Sequence, residues 1–258
     1  MTYPHNYLVE VQYLGFRFHG WARQPNVKTV QYMIERTLNY VLDGKTFKIL
    51  GTSRTDAMVS ALHSGFQLFL HEPLRDPGAF LESFNENLPA DIRATAIRNV
   101  PPEFNIIQSP RSKEYVYSFY LSSSADPFYA PFMTCLPEDL DIELMRKGCE
   151  LYVGRHDFRN FTIKANETCV RIISDARIEE NNIYEGAFFP DNKYMFCVSG
   201  AGFMRQQVRL MMGQLIKLGQ GMISLDQFER CVNGDPEIQA DYVAPASGLL
   251  LKTIDFGI

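Results

Sequence analysis

The sequence predicts an α+β protein made of two successive α/β units, on three observations. Residues 8 to 98 order themselves as strand, helix, strand, strand, helix, strand. A comparable order restarts after Pro110, and no low-complexity stretch, long flexible linker or clear sequence repeat interrupts the chain. The expected division gives an N-terminal unit over residues 1–105 and a C-terminal unit over residues 106–258.

Each element has a local reason. Leu8 to Tyr13 alternates Val9, Val11 and Tyr13 against Glu10 and Gln12, the period of a half-buried strand. Thr29 can cap a helix whose apolar positions Val30, Met33, Ile34, Leu38, Val41 and Leu42 follow helical spacing, with Gly44 as its stop. Strands are expected at Phe47 to Gly51, Phe66 to His71 and Ile92 to Arg98, with a helix from Pro77 to Asn87. The second unit reads as a strand through Tyr115, Tyr117 and Phe119, a helix from Glu138 to Tyr152, and strands at Arg171 to Glu179 and Lys193 to Ser199. A long helix from Gly202 to Leu218, a shorter one from Leu225 to Cys231 and a strand through Leu249 to Ile254 complete it.

Composition narrows the functional classes. A chain of 258 residues that is 46% hydrophobic can bury a sizeable core. Its apolar runs, such as Gly65 to Leu70, fall far short of the ~20 residues that cross a bilayer. Met1 to Asn6 lacks the basic and apolar segments of a secretory signal, so a cytoplasmic setting is expected. Cys135, Cys149, Cys169, Cys197 and Cys231 are widely separated, which argues for reduced thiols rather than disulfides or a zinc site. The net charge of -5 points away from nucleic acid. Even so, Arg17, Arg23, Lys28, Arg54, Arg111, Lys113, Arg205 and Arg209 lie beside the motifs below, while Glu138, Asp139, Asp141 and Glu143 crowd a separate helix start. A basic cleft on an acidic protein is compatible with that distribution.

The segment from Gly51 to Ala61 follows a strand and packs small residues, hydroxyls, Arg54 and Asp56 into one connection. A carboxylate beside a guanidinium stays ionised, which suits a nucleophile or base rather than a proton donor. On this loop alone, a structural Arg54–Asp56 pair is the plainer reading.

Other segments shift that balance, because they resemble, in order, the TruA family of tRNA pseudouridine synthases. Tyr13 to Asn26 with Thr29-Val30-Gln31 is similar to Y-x-G-x-x-[YF]-x-G-W-x-x-Q-P-N and T-V-Q. Arg54-Thr55-Asp56-Ala57 with Val59 and Ala61 resembles R-T-D-A-G-V-H-A, and Asn85 to Ile92 resembles N-x-x-L-P-x-D-I. Lys113 to Tyr117 is similar to R-x-Y-x-Y, and Gly154 to Phe161 to G-x-H-D-F-x-x-F, with Arg171 where the family has an arginine. Phe203 to Gly213 resembles F-L-x-x-M-V-R-N-x-x-G, and Ala244 to Leu249 resembles A-P-A-x-G-L.

The resemblance implies two RRM- or ferredoxin-like subdomains joined through an extended antiparallel sheet around an RNA-binding cleft. It implies a homodimer, tRNA as partner, the anticodon stem-loop as target, and no cofactor or metal. The reaction breaks the glycosidic C1'–N1 bond, turns the uracil and joins C1' to C5, on a nucleotide extruded into a pocket. By resemblance Asp56 attacks C1' or removes a sugar proton, Arg209 holds Asp56 ionised, Arg54 fills the space of the flipped base, and Tyr115 stacks on the uracil. Arg23, Gln24, Arg111, Lys113 and Arg205 are the remaining RNA-contacting candidates. Trp21, Phe16 and the Met204, Met211 and Met212 group read equally as core, and His63 as a satisfied polar residue.

The chain departs from the family at Met58 and Ser53, where glycine is usual, and at Ser60, where histidine is. The segment Phe104 to Ile107 lacks the arginine of F-x-A-R, and Lys113 replaces another arginine. These changes keep a second reading open: a weak or inactive paralogue that binds tRNA and helps it fold.

Overall fold

The alternation in His5–Tyr13 (β1) produces a central strand: Leu8, Val9, Val11 and Tyr13 are buried, and neighbours pair on both edges. This is a computed structural model describing residues 3–163 and 168–258. The first two residues of the Met1 to Asn6 stretch therefore lie outside the description. Thr29 caps Val30–Val41 (α1), its Oγ1 accepting from Tyr32 N at 3.2 Å, and Gly44 follows at φ +72°. Phe47–Gly51 (β2) and Ser60–Leu70 (β3) pair antiparallel. In Pro77–Asn87 (α2), Asp76 Oδ1 accepts from Gly78 N and Ala79 N. Its Phe84 packs edge-on against Phe66 of β3 and stacks with Phe80. Ile92–Asn99 (β4) lies on the free edge of β1, giving the order β4-β1-β3-β2, antiparallel throughout. Each large apolar side chain buried this way contributes about 1.5–3 kcal/mol.

The chain forms two units: residues up to Arg111 with Leu251–Ile258, and Ser112–Leu250. The boundary thus falls a few residues after the expected 105/106. Most of the last strand, Leu249–Asp255 (β10), counts with the first unit, where β10 is hydrogen-bonded to β3.

In the second unit, Ser112–Leu121 (β5), Lys193–Gly200 (β9), Val170–Glu180 (β8) and Gly154–Asp157 (β7) form an antiparallel series in the order β5-β9-β8-β7. Thr134–Leu136 (β6) runs parallel to β5. Tyr152, the last residue of Ile142–Tyr152 (α3), is fully buried among Phe158, Phe161, Phe196 and Phe228, and its hydroxyl donates to Met211 O at 2.9 Å. Gln207–Gly219 (α4) and Leu225–Val232 (α5) complete this layer, α5 through a Ser224–Gln227 capping box.

Three expectations change. The long helix begins at Gln207 rather than Gly202, because Gln206 adopts φ 60° and the buried Gln207 side chain accepts from Met204 N at 2.9 Å. The acidic stretch before α3 is not helical; Asp141 caps the helix, accepting from Leu144 N. Strand β3 begins at Ser60 rather than Phe66, since Ala61, Ser64 and Gly65 pair with β1 in a stretch that offers no apolar alternation.

Candidate active site

Asp56 sits on the connection from β2 to β3, and the segment after β1 is the cradle for it. The Tyr13 hydroxyl and Thr55 Oγ1 are 2.9 Å apart, both buried. Trp21 N donates to Thr55 O at 3.1 Å, Met58 N to Phe18 O at 3.0 Å and Gly15 N to Ser60 Oγ at 2.8 Å. Gly20, at φ +86°, presses on the same peptide: a Cβ there would lie 2.6 Å from Thr55 O and 3.1 Å from the Asp56 carbonyl carbon. A Cβ on Gly15 would meet Val59 O at 2.0 Å. Trp21 is buried with its indole over Gly51, where any side chain would collide. The Y-x-G-x-x-F-x-G-W pattern is therefore a backbone seat for residues 51–60. Trp21 resolves to core, while Phe16 stays partly exposed.

That seat leaves Thr55 and Val59 buried, Asp56 half-buried, and Arg54, Ala57 and Met58 at the surface. The Arg54 side chain makes no ion pair or hydrogen bond among the described residues, so a structural Arg54–Asp56 pair does not hold this loop together. Asp56 O accepts from Val59 N at 3.2 Å, closing a turn in which Met58 alone among the central residues has positive φ, 67°. That is the pattern of a type II turn, whose third position favours glycine. Met58 thus occupies a glycine conformation. Ser53 shows no positive φ and is unstrained in this respect.

In the second unit, Tyr115 lies on β5 and meets Phe203 edge-on, with ring centroids 5.2 Å apart. Arg209, half-buried on α4, donates from Nε to Ala244 O at 2.7 Å, while Ala244 N donates to Arg209 O. Gly213, one turn later, packs so closely that a Cβ would lie 1.8 Å from Tyr242 O. The buried Tyr117 hydroxyl donates to Pro245 O at 2.8 Å and contacts Thr134 Oγ1. The A-P-A segment thereby fixes the arginine helix. Lys113, also on β5, is partly buried, and desolvation lowers its ammonium to about 8.

The remaining candidates lie in both units. Arg23 is paired with Glu35 at 2.9 Å and lies over the Tyr32 ring, and Gln24 Nε2 donates to His19 O. Arg111 is exposed, with its backbone N donating to Asp255 O. Arg205 is exposed on the turn before α4, its carbonyl accepting from Thr162 Oγ1. Met211 and Met212 are fully buried. His63 contacts Glu10 Oε2 at 2.7 Å and Thr253 Oγ1 at 3.3 Å, a satisfied polar residue. The G-x-H-D-F stretch also resolves to packing: Asp157 caps the turn that buries Phe158 and Phe161. All five cysteines are free thiols.

Sequence reasoning missed Tyr13, Gly15, Thr55 and Ser60 as the residues that hold the loop. Their partners lie more than forty positions away, and only their place inside the two motifs hinted at a role.

These contacts give the Asp56 carboxylate a backbone fixed from several sides. The family described as tRNA pseudouridine synthase matches residues 149–257, a range that includes Arg209 but not Asp56. The tRNA pseudouridine synthase A of Geobacter sp. (strain M21) is 34% identical over 249 residues, covering 95% of this chain and 96% of that protein. That of Streptococcus mutans is 31% identical over 250 residues, covering 96% and 97%. Among solved structures, the archaeal box H/ACA sRNP Nop10–Cbf5 complex aligns at 14% identity with a TM-score of 0.34, over 81% of this chain and 44% of that one. The chain belongs to the tRNA pseudouridine synthase A family.

Proposed function

We propose that this protein isomerises uridine to pseudouridine in the anticodon stem-loop of tRNA, with Asp56 as nucleophile or base. The observation that carries this reading is the seat under Thr55 and Asp56, which holds one half-buried carboxylate on a backbone fixed from several sides. Pre-organisation of that kind serves a reacting group, and a solvated structural aspartate does not need it. Asp56 attacks C1' or removes a sugar proton; both routes need it ionised. Arg209 keeps it so, and its Nε bond to Ala244 O sets the guanidinium's orientation. Arg54, exposed and unpaired among the described residues, is available to take the place of the extruded base. Tyr115 offers a ring to the uracil, and Arg23, Gln24, Arg111, Lys113 and Arg205 contact the RNA. The two units are read as RRM- or ferredoxin-like halves, supported in the first by the β4-β1-β3-β2 order. The protein acts in the cytoplasm as a homodimer.

The test is pseudouridine mapping on an unmodified tRNA transcript, using the wild type and Asp56→Ala. Conversion by the first alone supports the reading, and the mapped position identifies the target. Binding of tRNA by both proteins without conversion by either instead establishes the binding-only paralogue.

A further inference from the structure

Met58 is an L-residue in a conformation where glycine costs nothing. In the left-handed region a side chain crowds the backbone carbonyl, at about 1–2 kcal/mol. The conformation is not accidental, because Met58 N is held by Phe18 O at 3.0 Å and the turn is closed from Asp56 O to Val59 N. Met58 is 36% exposed, whereas its neighbour Val59 is 1% exposed, so part of the residue reaches solvent. Met58 therefore holds a strained backbone two residues from the candidate catalytic carboxylate, with part of a flexible, polarisable thioether residue exposed. Backbone strain of this kind clusters at functional sites.

We propose that Met58 is a specificity-determining residue: its side chain narrows the entrance beside Asp56, packs against the extruded nucleotide or its neighbour, and restricts which uridines reach the carboxylate. This rests on the pseudouridine synthase reading above and adds the determinant of substrate choice. An unbranched thioether suits the task, because it adapts to a base or ribose face without requiring a hydrogen bond.

Two substitutions separate the side chain from the strain. Met58→Ala keeps an L-residue at positive φ and removes the thioether, and Met58→Gly removes both. The measurement is the relative rate of conversion at every uridine of one unmodified transcript, which loss of folded enzyme scales uniformly and cannot redistribute. Both variants are expected to change the ratio between the preferred and a second uridine by about tenfold, the scale of one apolar pocket contact. Only Met58→Gly should also raise the unfolding midpoint. An unchanged distribution in both variants overturns the proposal. No conversion by the wild type at any uridine overturns the functional reading itself, and the inference with it.

Discussion

The carbonyl oxygen of Thr55 lies 2.6 Å from the point where a Cβ on Gly20 would sit, so the peptide preceding Asp56 rests directly on a glycine. Gly20 is also at φ +86°, where a side chain is strained whatever the space. Gly20→Ala should therefore destabilise the protein by about 2–5 kcal/mol, combining backbone strain with an overpacked contact. Urea denaturation measures the loss. In the fraction that remains folded, single-turnover conversion should fall, because the loop must move to admit the methyl group. Wild-type stability and rate together would mean that the seat is not tight.

Tyr13→Phe tests the same seat more gently. The hydroxyl it removes is the partner of a buried Thr55 Oγ1. An unsatisfied buried hydroxyl costs about 1–3 kcal/mol. The expected result is that loss in stability and a reduced conversion rate with tRNA affinity unchanged, since Tyr13 is buried and does not reach RNA. A weakened Kd with a normal rate would contradict it.

Arg209 already donates one bond to Ala244 O, and its planar fork can hold that bond while presenting further donors. A lysine has a single charged nitrogen and must choose. Arg209→Lys should lower the single-turnover rate by about a hundredfold, the scale of one lost donor at a reacting centre, with tRNA binding retained. A double-mutant cycle with Asp56→Asn should then be non-additive. Additivity would mean that the two residues do not act together in the reaction.

Much of the architecture was legible because it rests on local chemistry. Thr29 as a cap, Asp76 before Pro77 and the alternation around Val9 each specify an element within a few residues. The misread ends have one local and one long-range cause. The buried Gln207 side chain hooks Met204 N three residues back and delays α4, whereas pairing of Ala61 and Ser64 with Tyr13 and Val11 of β1 extends a strand into a stretch with no apolar alternation. The place of Asp56 on a connection after a strand was legible, but the seat beneath it was not. The bonds from Tyr13 and Gly15 span 42 and 45 positions, and no periodicity connects them. The departure from glycine at position 58 was legible, but not that Met58 would take a positive φ of 67°.

Lys113 makes a prediction about pH. Its burial on β5 disfavours the ammonium and lowers its pKa from 10.5 to about 8. Below pH 8 the lysine is charged in both folded and unfolded chains, and the folded state bears the full desolvation cost. Between pH 8 and 10.5 the unfolded chain holds a proton that the folded one has released, so this group's contribution to stability rises with pH across that window. Lys113→Met should remove the cost, making the variant more stable at pH 7 and flattening its stability profile between those pH values. The same titration governs phosphate contact. If Lys113 touches RNA, the logarithmic salt dependence of tRNA binding should lose about one unit of slope between pH 7 and pH 9. Lys113→Arg, charged at both values, should keep its slope. Equal slopes for the wild type at pH 7 and pH 9 would place Lys113 away from the phosphates.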